Sequence, residues 1–398
     1  MLLKIKNIFL LLLFVVIGFL GWKSYNYFFD KEIPQLYILG IENNKYYCGN
    51  IQCIISSNKT GIMSIWLDGK PLSRNFKIHT KNQEYPFTLP TRTISNGTHN
   101  LKIKLTDYTY NKNSVDQKLD FYIDNTPLQA AFTKPETDLK VFQGRTLHVQ
   151  FQVNKKIKSA TVQALSNTYE CFPESKNSSI YETFIPVPCE ESPNEYLLSV
   201  DIQDRTGNNL TLENKFQIVQ FPFKKQILKV SSEKVKKEKE VGKDTQTFKR
   251  DMENILATSP KEKLWKGNFC TPIEIARKTC DFGTIRITQE KGKYIHNGID
   301  ITNEPRSVVW ASQDGIVRIK DRYAESGNTV IIDHGFGILS MYFHLEDLAN
   351  IKAGEFIRKG NPVGTLGQTG YASGYHLHWE LRVNNIPVDP IQWTKETF

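Results

Sequence analysis

Gly327-Asn-Thr-Val-Ile-Ile-Asp-His-Gly335 runs on into Leu339-Ser-Met-Tyr-Phe-His344, and these two stretches decide the fold of the C-terminal third. Each carries a short run rich in β-branched and aromatic residues, and Gly327, Gly335 and Gly337 punctuate them. Short apolar runs bounded by turn residues read as strands rather than helices. The same reading extends upstream to Val308–Ala311 and Gly315–Ile319, and Gly354, Gly360, Gly364, Gly367, Gly370 and Gly374 continue the tight turns downstream. The prediction is one antiparallel β domain over residues 263–398, within the usual size of a domain.

That domain carries five of the chain's eight histidines. His376 and His378 alternate along a strand, so they share a face and stand roughly 6–7 Å apart. His296 and Asp300 form His-x-x-x-Asp, and Gly298 between them is expected to let the backbone curl so that both side chains face one ion. A catalytic zinc takes three protein ligands and keeps one position open, so this set supplies the ligands and one histidine to spare. Spacing alone leaves open which of His376 and His378 ligates.

Read together, His296-Asn-Gly-Ile-Asp300, Val309–Val317, Gly327–Gly335, Tyr342-Phe-His-Leu345, Gly364–Gly370 and His376-Leu-His-Trp-Glu380 resemble the M23, or lysostaphin-type, zinc metallopeptidase family. The resemblance covers about residues 264–394. It implies a small antiparallel β core with zinc in a groove, zinc ligands at His296, Asp300 and His378, and His344 with His376 as the catalytic pair. It also implies peptide hydrolysis by a metal-activated water, with one imidazole of that pair taking the proton. The implied substrate is the stem peptides of peptidoglycan, with D,D-cross-links favoured over glycyl-glycine bridges.

Two other functions fit parts of the pattern. A relative that has lost catalysis and activates separate wall hydrolases is disfavoured, since all three ligands and both additional histidines are present. A membrane-anchored export adaptor shares the glycine-punctuated strands but needs neither histidine array. His334 reads as structural, and His79, His99 and His148 as surface or core positions upstream. Glu380 reads equally as an acceptor orienting a ligand or as surface charge, and Tyr294 and Asn297 flank the site.

Upstream, residues 34–125 and 128–222 read as two copies of one β domain. An offset of 97 residues carries Ser57–Gly61 onto Asn154–Lys158, Ser64–Leu67 onto Thr161–Ala164, and Leu105–Asp107 onto Ile202–Asp204. One offset across separate segments marks a tandem repeat. Alternation in Leu101–Leu105 and Leu198–Ile202, at about 95 residues per copy, predicts immunoglobulin-like sandwiches. The fold class is therefore mainly β. A basic linker with an amphipathic helix, residues 223–262, joins the second copy to the C-terminal domain, with Phe248, Met252, Ile255 and Leu256 on one helical face.

The formal charge of +9 is concentrated in that linker, which has ten basic against four acidic residues over 224–250, compared with 17 against 16 over 261–398. Without basic and aromatic residues interleaved near the histidines, nucleic acid is set aside as a partner. Residues 1–33 hold Lys4 and Lys6, an apolar run from Ile8 to Trp22, and the aromatics Tyr25, Tyr27, Phe28 and Phe29. This reads as an uncleaved signal-anchor in the inner membrane ahead of a cleaved signal, with the remainder exported to the periplasm. Six cysteines in near pairs, Cys48/Cys53, Cys171/Cys189 and Cys270/Cys280, are expected to form local disulfides in that oxidising compartment.

Overall fold

Alternating burial along Gly97–Asp107, with Leu101, Ile103 and Leu105 turned inward, is the local rule from which the upstream architecture follows. The computed structural model describes residues 2–135, 139–227, 232–288 and 292–398. The protein is mainly β and divides into two compact units, Met1–Pro127 with Arg205–Asn208, and Leu128–Asp204 with Asn209–Phe398.

In the first unit a three-stranded sheet has Ile51–Ser57 between Leu36–Leu39 and Tyr85–Leu89. A five-stranded sheet runs Tyr46–Tyr47, Ser114–Ile123, Gly97–Asp107, Gly61–Leu67, Lys70–Ile78. Ile51, Cys53 and Ile55 from one sheet and Met63, Ile65 and Leu105 from the other form the core between them. The second unit opens with the same plan: Phe172–Pro173, Ile180–Pro186, Thr146–Val153, Ala130–Phe132 in one sheet, and Lys140–Phe142, Asn209–Val219, Glu195–Asp204, Ile157–Ala164, Asn167–Glu170 in the other. Both five-stranded sheets begin with a short strand parallel to its neighbour.

The likeness reaches individual hydrogen bonds. Gln35 N donates to Asn58 Oδ1 at 2.9 Å, and Gln129 N to Asn154 Oδ1 at 3.0 Å. Lys59 Nζ lies 3.3 Å from Asp107 Oδ2, and Lys155 Nζ 2.9 Å from Asp204 Oδ2. Here the constant offset needs a correction: Lys155, not Lys156, takes the place of Lys59. Gly61 pairs with Asp107 and Ile157 with Asp204, and a register shift between Ile157 and Ser159 then inserts Lys158 as an extra residue. The bulge absorbs the one-residue difference that ungapped alignment hides.

The C-terminal sheet runs Arg277–Cys280, Ile299–Thr302, Leu377–Val383, Ile338–Leu345, Gly327–Asp333, Gly315–Tyr323, Phe356–Ile357, with all neighbours antiparallel. Helix α1 spans Leu2–Phe29, α2 Ser232–Val241, α3 Thr245–Ala257 and α4 Pro390–Lys395. Asp244 caps α3 by accepting from Thr247 N, and Met252 and Ile255 pack on Ile331, Leu339 and Met341. α2 lies in what reads as a linker; residues 228–231 and the side chains of Lys4 and Lys6 lie outside the described residues.

The expected disulfides are not formed: all six cysteines are free thiols. Cys53 and Cys171 point into the two β cores as small hydrophobes, Cys270 Sγ faces Ala311 O, and Cys280 faces the histidine cluster described next.

Candidate metal centre

Strand pairing brings the site together. Asp300 and Phe343 are the cross-strand neighbours of His378, and His296 enters four residues before Asp300 at the end of Gly292–Ile295. His296 Nε2 lies 3.0 Å from Asp300 Oδ1 and 3.0 Å from His378 Nδ1, and the third side of the triangle, His378 Nδ1 to Asp300 Oδ1, is 2.9 Å. Tetrahedral zinc with bonds of about 2.0–2.1 Å sets its ligand atoms roughly 3.3 Å apart, so the triangle needs only a few tenths of an ångström of opening.

The far ring atoms fix which lone pairs face the triangle. His296 Nδ1 donates to Asp281 O at 3.1 Å, and His378 Nε2 to Glu380 Oε2 at 3.4 Å. With the outer nitrogens facing these acceptors, the inner nitrogens are the atoms placed to ligate a metal, His378 Nδ1 once it releases the proton that its raised pKa keeps there. Arg286 holds the other Asp300 oxygen at 2.6 Å, and Arg382 holds the other Glu380 oxygen at 2.5 Å. Burial works against charge on Asp300, yet His296 and His378 hold its carboxyl well below the usual range. Burial likewise opposes charge on His378, but Asp300 and Glu380 push it up to about 9, so the pocket favours positive charge at this point.

Gly298 serves a different purpose from the one its sequence position suggests. Its φ is not left-handed; a Cβ there would stand 2.8 Å from His378 Nε2 and closer still to Trp379 O. The glycine makes room for the His378 ring.

His344 and His376 stand beside the triangle with their ring centroids 4.8 Å apart. His376 Nε2 is 3.8 Å from Asp300 Oδ1, while its Nδ1 donates to Gly374 O at 2.8 Å. His344 Nδ1 donates to Thr369 O at 2.8 Å. His344 has φ +62°, at a register shift in the pairing of Ile338–Leu345 with Gly327–Asp333. A non-glycine residue in that region costs on the order of 1–2 kcal/mol, and the distortion turns the ring toward the site. Burial, then the neighbouring His376 and His378, lowers the His344 pKa well below its ordinary value, and burial lowers that of His376. Both are neutral imidazoles at neutral pH.

The structure thus gathers His296, Asp300, His378, His344 and His376. It also adds residues with no sequence signal of their own. Phe343 stacks on the His378 ring at 5.3 Å and 4°. Cys280, the cross-strand partner of Asp300, forms with His296 and Asp300 a second possible ligand set within 4.8 Å. Its sulfur lies 3.5 Å from Asp281 O, the acceptor of the outer His296 nitrogen, so it stands behind that ring. The triangle with His378 is the tighter set. His334 lies outside it, buried between Asp314 O at 2.6 Å and Ser340 Oγ at 2.8 Å. A cavity of about 260 Å³ opens over the site, lined by Arg286, Tyr294, Asn297, His344 and His378, with Asp244, Thr245 and Phe248 from the start of α3.

Peptidase family M23 matches residues 294–390, the segment that holds every one of the five side chains. The C-terminal region is a peptidase M23 domain. Within it the chain is similar to the DD-carboxypeptidase/endopeptidase Mpg of Neisseria meningitidis serogroup B, at 37% identity over 97 residues, 24% of this chain and 22% of that protein. It is also similar to the peptidoglycan DD-endopeptidase ShyC of Vibrio cholerae serotype O1, at 33% identity over 121 residues, 30% of this chain and 28% of that protein. The chain therefore spans less than a third of the length of these relatives. A solved peptidase M23 structure from Pseudomonas aeruginosa aligns with 64% of this chain and 94% of its own, at 20% identity and a TM-score of 0.46.

Proposed function

We propose that the protein is a zinc metalloendopeptidase that hydrolyses peptide cross-links of peptidoglycan, D,D-linkages above all. The observation that carries this reading is the triangle of His296 Nε2, Asp300 Oδ1 and His378 Nδ1, closed to 2.9–3.0 Å beside two neutral imidazoles. Zinc at that triangle would polarise the scissile carbonyl and acidify a water.

The chain's own groups do the rest. Outward hydrogen bonds to Thr369 O and Gly374 O leave Nε2 of His344 and of His376 unprotonated, so either can accept the water's proton. The imidazole that takes this proton then returns it to the departing amine. Arg286 and Glu380 hold Asp300 and His378 in place. The names of the relatives, both DD-peptidases, support the choice of bond. Helix α1, with 22 residues from Ile8 to Phe29 at a mean hydropathy of 2.1, supports an anchor that leaves the catalytic domain in the periplasm.

Digestion of purified peptidoglycan with the full chain in detergent, with and without chelator, tests the proposal. Loss of D,D-cross-linked muropeptides, with new D-alanyl termini and sensitivity to chelator, is the expected result. Unchanged muropeptides from a zinc-loaded protein would overturn it.

A further inference from the structure

Helix α1 runs directly into contacts with the first β region. A helix leaves its last four carbonyls without intrahelical partners. Here one loop supplies donors: Tyr110 N donates to Tyr27 O at 2.9 Å, and the side-chain amides of Asn111 and Asn113 donate to Asp30 O at 2.8 and 3.0 Å. Lys59 closes the other side, with Nζ 2.9 and 2.8 Å from the two Asp30 oxygens. The base of the loop is fixed in turn, since Thr109 Oγ1 and Asn113 Nδ2 donate to Asp107 at 2.6 and 3.1 Å.

This clamp decides where Tyr110 stands. Its ring lies 5.5 Å from that of Phe28 and is 65% exposed. Tyr25, Tyr27, Phe28 and Phe29 on the last two turns of α1 are likewise exposed. That is the level of a membrane helix where Tyr and Trp collect, with an apolar ring body in the acyl boundary and a polar tip in water. Lys31, two residues after Phe29, and Lys112, two residues after Tyr110, are both exposed and suit lipid phosphates.

We infer that the loop Tyr108–Lys112 is a second membrane contact, with Tyr110 seated beside Phe28 in the headgroup layer of a phospholipid bilayer. The first β region is then fixed against the membrane surface instead of swinging on a tether. The occupant is lipid because Tyr110 continues the exposed apolar surface of Ile8–Phe29, which over its whole length suits a bilayer. The inference rests on reading α1 as an anchor.

Flotation of the full chain with phosphatidylethanolamine/phosphatidylglycerol vesicles reads the anchor alone. Tyr110→Trp, compared with the parent chain in the same vesicles, reads the loop. The expected result is that both chains float and that the added emission is blue-shifted and quenched by lipids brominated near the headgroup. Asn111→Ala with Asn113→Ala in the Tyr110→Trp background should still float and lose that quenching. A chain that does not float overturns the anchor and the loop contact together. A floating chain whose added emission is quenched by aqueous acrylamide and not by brominated lipid overturns the loop contact alone. Shielding from both quenchers means that protein covers Tyr110, and this also overturns it.

Discussion

The two upstream β regions share a plan down to a buried lysine–aspartate pair, yet the same lattice positions carry opposite chemistry in each. In the first, Gln52 and Thr88 are cross-strand partners, both exposed, joined by a 2.8 Å side-chain hydrogen bond. In the second, the corresponding partners are His148 and Phe184, whose rings stack at 4.9 Å. Phe184 is buried among Trp265, Trp393 and Phe398 of the C-terminal part of its unit. Glu182, next along that face, is fully buried and paired with His148 at 2.8 Å and Lys263 at 3.1 Å. Gln392 and Trp393 of α4 reach Thr146 with bonds of 2.8–3.1 Å. One copy thus keeps a solvated outer face, while the other has turned its outer face into core.

Burial along the equivalent strands records the difference. Tyr85–Leu89 alternates between half-buried and exposed and ends on the buried Leu89, whereas Glu182–Pro186 is buried at every position. A strand covered on both faces loses its alternation. The second β region accordingly belongs to one compact unit with the M23 domain.

The largest test of this contrast is Phe184→Ala, expected to cost its unit about 3–5 kcal/mol in chemical denaturation through lost burial and a cavity. A cost below about 1 kcal/mol would mean that the aromatic core joins nothing. Lys155→Met should cost roughly 3 kcal/mol, because Asp204 would stay buried without its ammonium. Lys59→Met should act similarly on the first unit, so the two variants should lower separate transitions in calorimetry.

A smaller effect concerns pH. Burial pushes His334 down to about 4, so the folded second unit binds fewer protons than the unfolded chain between about pH 4 and 6.5. Its stabilisation is complete above that window and is lost as pH falls through it, by about 2 kcal/mol between pH 7 and pH 5. His334→Asn should flatten this dependence, and an unchanged pH slope would contradict it. Smallest of all, Thr88→Ala should lie within about 0.5 kcal/mol of the parent.

The sequence made the repeat, the mainly β fold and the five side chains that cluster at the candidate site readable, because each rests on local spacing. Alternation revealed Leu101–Leu105, and the His-x-x-x-Asp and His-x-His spacings located the candidate ligands. What stayed hidden depends on long-range packing. Nothing near Lys158 announces a bulge, and nothing near His344 announces its left-handed backbone. Cys280 read as half of a disulfide with Cys270, but strand pairing sets it opposite Asp300. The partner of Arg286 was invisible for the same reason, since Asp300 meets it only after the chain has folded.

The central claim is that three side chains hold zinc while two others move the proton, and one paired measurement tests it. Zinc content and peptidoglycan turnover should be determined together for His378→Ala and His344→Ala. His378→Ala should lose both zinc and turnover. His344→Ala should keep one zinc per chain and lose turnover by about 10²–10⁴-fold. Full zinc and full activity in His378→Ala, or parental activity in His344→Ala, would contradict the assignment.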